Sequence, residues 1–136
     1  MAPIPTFEQH QESQRQGKLY AGPHVNQEPG FIVRVELHGI EKSQDYQALR
    51  EHMIAQGFMG NINTQNAWFK LPTATYYLPN PTKLRSAWHV YNKAFSAVQA
   101  ALKNEYAHVK AKNEPPTILV TETQHVYWTG LELADD

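Results

Sequence analysis

The sequence predicts a small α+β domain with the ferredoxin-like order βαββαβ, in which an antiparallel sheet carries two helices on one face. Three observations lead to this prediction. The chain has 136 residues, close to the commonest size of a single domain. Two segments with helical spacing alternate with short β-branched and aromatic runs. Residues 1–30 hold too few apolar side chains for a core, so we expect a polar N-terminal arm before a domain over residues 31–136.

The arm is rich in Gln, Glu, Pro and Gly and has isolated apolar residues. Two interpretations stay open for it. It is either a solvated tail, or it docks onto the body or a second subunit through Phe7 or through Leu19 and Tyr20.

The domain begins with a strand predicted from Phe31 to Ile40, because apolar and mainly polar side chains alternate there with a period of two. The face expected to enter the core consists of Phe31, Val33, Val35 and Leu37. The first helix is predicted from Gln44 to Gln56, with Ser43 as its N-cap and Gly57 as its left-handed C-terminal stop.

Two short extended runs, Ala67 to Leu71 and Thr73 to Leu78, flank Pro72 and predict a hairpin. The tripeptide Asn80-Pro81-Thr82 then predicts the start of the second helix, from Thr82 onward. Apolar residues repeat along this helix at alternating intervals of four and three, which is typical of a core-facing stripe, at Leu84, Trp88, Tyr91, Phe95, Val98 and Leu102.

The last strand is predicted from Thr117 to Thr123, where β-branched residues dominate, and it is either prolonged or followed by a hairpin tail through Val126 to Leu133. Both helices would cover the same sheet face. We therefore expect the opposite face of the sheet to be open.

Composition excludes several classes of function. The chain has no cysteine, which rules out thiolate catalysis, iron–sulfur clusters and disulfide frameworks. A net charge of −1, spread over mixed signs, argues against a strong binder of duplex DNA. Neither a signal peptide nor a run of the roughly 18 apolar residues needed for a membrane span is found, so we expect a cytoplasmic protein without a membrane segment.

Sequence motifs remove further classes. The glycine-rich patterns of phosphate loops, dinucleotide-binding folds and serine hydrolases do not occur. The chain has seven histidines, yet none has the spacing of a metal-binding motif. We therefore predict no cofactor, with Mg²⁺ as the one ion left open.

The polar face of the first strand holds the best candidate site. Arg34, Glu36 and His38 follow one another at every second position, so they project from the same face. Arg34 could hold a phosphate, Glu36 could position a metal or a proton, and His38 could act as an acid or a base. The alternative is that the same side chains form cross-strand pairs in a homodimer interface.

Aromatic residues near the predicted sheet could stack on RNA bases, although packing is the alternative role for them. The consensus of ribonucleoprotein sheets is absent. We predict Arg34, Lys70 and Tyr77 as the residues that contact RNA.

Four segments together resemble the GhoS-type antitoxin family. They are F-I-V-R-V-E-L-H-G at residues 31–39, A-L-R-E-H-M-I-A-Q-G-F at 48–58, F-K-L-P-T-A-T-Y at 69–76 and I-L-V-T-E at 118–122. The similarity covers Phe31 to Trp128. The family consists of small ferredoxin-like proteins related in fold to the small endoribonuclease of CRISPR adaptation.

This resemblance implies a cytoplasmic homodimer and, for the antitoxin itself, cleavage of single-stranded toxin mRNA. It places Glu36 where the relatives carry an acidic residue late in the first strand, and the CRISPR relatives bind a divalent metal there through aspartate. Two hypotheses follow. The chain is either an RNA-directed accessory protein of the toxin–antitoxin or phage and plasmid type, with endoribonuclease activity, or a non-catalytic protein-interaction module that acts as a homodimer.

Overall fold

The structure of the protein is a computed structural model, and it describes residues 22–38, 43–102 and 115–134. The proposed contacts of Phe7, Leu19 and Tyr20 lie outside these ranges. Within them the chain forms, in order, β1 His24–Asn26, β2 Gly30–Glu36, α1 Ser43–Ala55, β3 Asn61–Asn63, β4 Trp68–Lys70, β5 Thr75–Pro79, α2 Ala87–Ala101, β6 Thr117–Thr123 and β7 Val126–Trp128. The protein is therefore a mixed α+β protein.

Strand β2 lies at the centre of a three-stranded antiparallel sheet with the order β5-β2-β6. Its alternating pattern has the predicted effect, because Phe31, Val33 and Val35 are fully buried while Arg34 and Glu36 are exposed. Strand β6 has the predicted bounds and pairs with β2 along its whole length.

Both helices contribute to one core, here called the helix-side core, which covers the face of β2 that carries its buried residues. The two helices also pack against each other. The largest side chains that α1 and α2 place in this core are Leu49, Met53, Val90 and Val98.

Helix α1 ends as the sequence predicts. Gly57 has a φ of +94°, and its N–H donates to the Ile54 carbonyl at 2.9 Å. The Phe58 N–H reaches back to the Met53 carbonyl at 3.1 Å, and both of these side chains are buried. This is the Schellman arrangement, in which a glycine takes the left-handed position after the helix. The helix begins at Ser43, one residue before the predicted start.

The predictions for helix α2 need correction in two respects. It begins at Ala87 rather than Thr82, because Lys83 adopts a φ of +58° and Ser86 provides the N-cap. The Ser86 hydroxyl accepts the N–H of His89 at 3.1 Å. The buried face agrees with the predicted stripe at Val98 and Leu102 and differs elsewhere, since its other members are Val90, Ala94 and Ala97.

The stripe that was expected in the core is partly exposed. Leu84 lies before the helix and is 86 % exposed, and Trp88 is 71 % exposed. The rings of Trp88, Tyr91 and Phe95 stack in sequence along the helix, with centroid distances of 5.7 and 6.1 Å. Small alanines occupy the core side instead, which lets α2 approach the sheet and α1 closely.

The predicted hairpin is also wrong in its pairing. Both extended runs are present as β4 and β5, but β4 pairs with β3, and β5 pairs with β2. Thr64 organises the β3–β4 turn, because its hydroxyl accepts the N–H groups of Asn66 and Ala67, both at 3.1 Å. Beyond Pro72 the chain turns away to β2, where the Val35 N–H donates to the Ala74 carbonyl at 3.0 Å.

The face opposite the helices is not open along its whole length. A second core covers the part of this face that carries Ile32 and Tyr77. It is built around the fully buried Ile62, Phe69 and Tyr77, and β3, β4, β7 and the segment after β7 supply its remaining members. Only the other half of the face, which carries Arg34, remains exposed.

Strand β1 adds to the layer that covers the sheet face opposite the helices. It pairs with β7, although residues 24–26 fall within the segment expected to be an arm. Strand β7 therefore pairs with β1 and does not prolong β6. In the described ranges, neither helix has the length and hydrophobicity of a membrane-spanning segment.

Candidate functional site

The exposed part of the sheet face, here called the open half-face, contains all three predicted catalytic residues. Arg34 and Glu36 lie on β2, and His38 follows this strand by two residues. Their neighbours across the strands are Thr75 and Leu119 beside Arg34, and Thr117 beside Glu36. The strand alternation that buries one face of β2 thus brings the three side chains together on the other.

Arg34 is held in place by three groups. Its Nη1 donates to the Thr73 carbonyl at 2.8 Å and to the Thr75 hydroxyl at 3.1 Å. Its Nη2 lies 3.9 Å from Oε1 of Glu36. Because both side chains are about half exposed, at 44 % and 51 %, this ion pair contributes little to stability. The guanidinium keeps donors for a ligand, since five N–H groups are present on it.

His38 lies at the other end of the open half-face. Its Nε2 is 2.6 Å from the Thr117 hydroxyl, and the tautomer decides which of the two groups donates. Beside Arg34 on the neighbouring strand, Leu119 exposes 59 % of its surface. A cation, a carboxylate and an imidazole therefore follow one another along the exposed face, with one exposed apolar side chain beside the cation.

The fit of a divalent metal depends on how many ligands the site offers. No three His, Asp or Glu side chains of the described residues come together as a metal group. On the open half-face a Mg²⁺ ion would have Glu36 as its carboxylate ligand, with phosphates and water as the other ligands. Such a site would therefore form only together with a bound substrate.

The residues predicted to contact RNA are not all brought together. Tyr77 is fully buried in the second core, and its hydroxyl donates to Oδ1 of Asn26 at 3.4 Å. Its ring therefore packs in the protein and presents no surface for a base. Lys70 is exposed on β4, where its Nζ lies 3.9 Å from Oε2 of Glu132. Of the three, Arg34 alone belongs to the open half-face.

A second concave region was missed from the sequence. A cavity of about 500 Å³ lies beside β5, and Arg50 and Lys70 are the charged residues that line it. Arg50 occupies an ordinary surface position of helix α1, so its position in the sequence does not indicate a binding site. Only the approach of β3, β4 and β5 to this helix places it beside a cavity.

Comparison of the chain with protein-family models, with curated proteins and with solved structures finds no match in any of the three. The resemblance to GhoS-type antitoxins therefore stays a prediction based on the four sequence segments.

Proposed function

We propose that this protein is an RNA-directed accessory protein of the toxin–antitoxin or phage and plasmid type, which binds single-stranded RNA on the open half-face. The observation that carries the proposal is the exposure of Arg34, Glu36 and His38 together on the central strand. Arg34 would bind a backbone phosphate, and Leu119 would contact a base or sugar. The rigid strand would keep these groups in a fixed arrangement.

We further propose a ferredoxin-like topology for the domain. The order β5-β2-β6 supports it, because it corresponds to the third, first and fourth strands of that fold. Met59, just before β3, forms an isolated antiparallel bridge with Tyr77 of β5, at the place of the second strand. Each crossover from strand to strand would then contain one of the two helices.

Cleavage of the bound RNA is the catalytic form of the proposal. With Arg34 on the phosphate, His38 would take the proton of a ribose 2′-hydroxyl, whose oxygen attacks the adjacent phosphorus. The bond from phosphorus to the 5′-oxygen would break, and that oxygen would accept a proton from water, while His38 would return the proton that it took to the solvent. The products would be a 2′,3′-cyclic phosphate and a 5′-hydroxyl end.

The test is to measure binding and cleavage of a pool of single-stranded RNA, with and without Mg²⁺. We expect Arg34→Gln to weaken binding about tenfold and to lower the slope of log affinity against log salt by about 0.7. Arg85→Gln is the matched control, because Arg85 is an exposed cation outside the half-face. Equal affinity of both variants and the unaltered protein would contradict RNA binding there.

Catalysis is tested separately from binding. We expect Glu36→Ala and His38→Ala to lower the cleavage rate at saturating protein while RNA remains bound. The catalytic form would be rejected if the unaltered protein does not cleave RNA, or if both variants cleave it at the rate of the unaltered protein. RNA binding would then still be judged by Arg34→Gln.

The second candidate function is a non-catalytic protein-interaction module that acts as a homodimer, and helix α2 favours it. Its partly exposed surface carries the stacked rings of Trp88, Tyr91 and Phe95. Lys93 is its only charged residue among the fifteen of the helix. A helix with so little charge usually buries more than one face, and a two-fold axis would place this stripe against its copy.

Sedimentation or light scattering of the full chain tests this dimer. We expect Trp88→Glu to convert a dimer to a monomer, because a buried carboxylate without a partner is costly. Tyr127→Glu on β7 is the control, since Tyr127 and Trp88 have the same exposure of 71 %. A monomeric unaltered protein, or a dimer that survives Trp88→Glu, would exclude this interface.

A further inference from the structure

The cavity beside β5 has the volume of a ligand-binding site and is partly open to solvent. Its volume is about 500 Å³, within the range of roughly 300–1,000 Å³ that small-molecule sites occupy. It lies between α1, the residues around the start of β3, and the segment from β4 to β5. Its lining consists of Tyr46, Arg50, Gly60, Asn61, the segment 70–76 and Ala134.

The charge of this pocket is one-sided. Arg50 and Lys70 line it, and none of the other described residues that line it is an aspartate or a glutamate. Nζ of Lys70 lies 3.9 Å from Oε2 of Glu132, whose side chain is 80 % exposed. A pair this exposed is weak, so Lys70 can turn to an anionic ligand at little cost.

Gly60 places the guanidinium of Arg50 against the main chain. A Cβ at this glycine would lie 3.2, 3.3 and 3.4 Å from Nη1, Cζ and Nη2 of Arg50. The absence of a side chain therefore lets the flat guanidinium lie on the backbone at the pocket wall. The Arg50 charge also acts on the phenol of Tyr76, which lines the same pocket. A guanidinium positioned in this way can offer two parallel N–H groups to one anion.

Two phenolic hydroxyls add neutral donors. The Tyr46 hydroxyl accepts the Leu37 N–H at 3.3 Å, which leaves its own proton for a second partner. Burial raises the pKa of Tyr76 to about 12, more than the Arg50 charge lowers it, so this hydroxyl keeps its proton at neutral pH. Two cations and two tyrosines thus line a space whose remaining lining includes Leu71, Pro72 and Ala74.

We propose that this pocket binds a phosphomonoester of nucleotide size, with Arg50 and Lys70 on the phosphate and the apolar lining against the organic part. Two cations match the charge of a phosphate dianion, and one flat guanidinium beside one flexible ammonium is a combination suited to it. The volume exceeds what inorganic phosphate fills. The pocket shares Thr73 and Thr75 with the groups that hold Arg34, but Arg50 and Lys70 lie outside the open half-face, so the proposal does not depend on the binding of RNA there.

Titration calorimetry of the full chain at low salt tests the proposal with three probes: 5′-AMP, adenosine and inorganic phosphate. We expect 5′-AMP to bind at least about tenfold more tightly than either of the others, because only it has both parts. Equal affinities for 5′-AMP and adenosine would overturn the phosphate site. Equal affinities for 5′-AMP and inorganic phosphate would overturn the organic subsite.

Variants locate the binding. We expect Arg50→Gln and Lys70→Gln each to weaken 5′-AMP about tenfold, the effect of one lost charge-assisted hydrogen bond, while Arg85→Gln has no effect. Arg50 and Lys70 are exposed, so neither change should lower the melting temperature appreciably. Unchanged affinity of Arg50→Gln would overturn the proposal. Loss of RNA binding in Arg34→Gln with 5′-AMP affinity retained would separate the two sites.

Discussion

At the scale of single residues, Tyr76 and Tyr77 show how neighbours on one strand acquire different environments. Tyr76 lies in the helix-side core, whereas Tyr77 lies in the second core. Desolvation is the main reason that the pKa of each is raised, and for Tyr77 the hydrogen bond to Asn26 opposes that effect. Both phenols are therefore more stable in their neutral form in the folded protein than in the unfolded chain.

This difference predicts a loss of stability in alkaline solution. The folded protein keeps the Tyr76 proton up to its pKa of about 12, whereas the unfolded chain loses it from about 10. Between these values the folded state binds more protons than the unfolded chain, so the stability of the fold falls as pH rises. Below about pH 10 the contribution of Tyr76 to stability is fully present. The shift corresponds to roughly 3 kcal/mol.

Urea unfolding at about pH 9 and pH 11 measures this loss. Tyr76→Phe removes the titrating group, so we expect its stability to fall less between the two pH values than that of the unaltered protein. The exposed Tyr127→Phe is the control. A pH slope that is the same in Tyr76→Phe and the unaltered protein would contradict the assignment.

Part of the candidate site could be predicted at this scale. The alternation of β2 determines that Arg34, Glu36 and His38 share a face, because successive side chains of a strand point to opposite sides. The burial of Tyr77 could not be predicted, since its cover comes from distant strands. Arg50 could not be found either, because its pocket depends on segments that are remote in sequence.

At the scale of elements, helix α2 is defined by its cap more than by its aromatic stripe. Asn80 accepts the Arg85 N–H at 3.2 Å and donates to the Arg85 carbonyl at 3.1 Å, which closes the loop before the helix. The Ser86 hydroxyl then accepts the N–H of His89, one of the first-turn N–H groups that lack a partner within the helix. The proline signal at Pro81 marks this loop and not the helix itself.

We expect Ser86→Ala to lower the free energy of unfolding by about 1 kcal/mol, because the helix loses its N-cap acceptor. Ser96→Ala is the matched control, since Ser96 is an exposed position inside α2. That change should be neutral or slightly stabilising, as alanine has the higher helix propensity. Thermal or urea unfolding measures both, and equal effects would show that Ser86 does not act as a cap.

At the scale of the whole molecule, the sheet separates two hydrophobic cores of unequal size. Among the described residues, the helix-side core contains fifteen that are buried, whereas the second core has three, surrounded by partly buried side chains. The β1–β7 pair and the β3–β4 hairpin are three residues long in each strand. Short strands over a small core open more easily than a central strand with partners on both sides.

Amide hydrogen exchange measured residue by residue tests this asymmetry. We expect the slowest exchange at Val33 and Val35 on β2, where opening requires global unfolding. The amides of Ile62 and Phe69 should exchange at least about tenfold faster through local opening of the second core. Equal protection in both regions would show that the molecule opens as one cooperative unit.

The sequence by itself determined the local features of this protein. The alternation of β2, the β-branched run of β6 and the glycine stop of α1 depend on neighbours along the chain, and each lies where predicted. The tertiary structure decided the partners: which strand β4 joins, which face of α2 is buried, and how much of the sheet is covered. These depend on competition among distant apolar surfaces, and periodicity identifies such a surface without identifying what covers it. For that reason the open half-face is smaller than its sequence pattern indicates, and the pocket at Arg50 exists only in the folded chain.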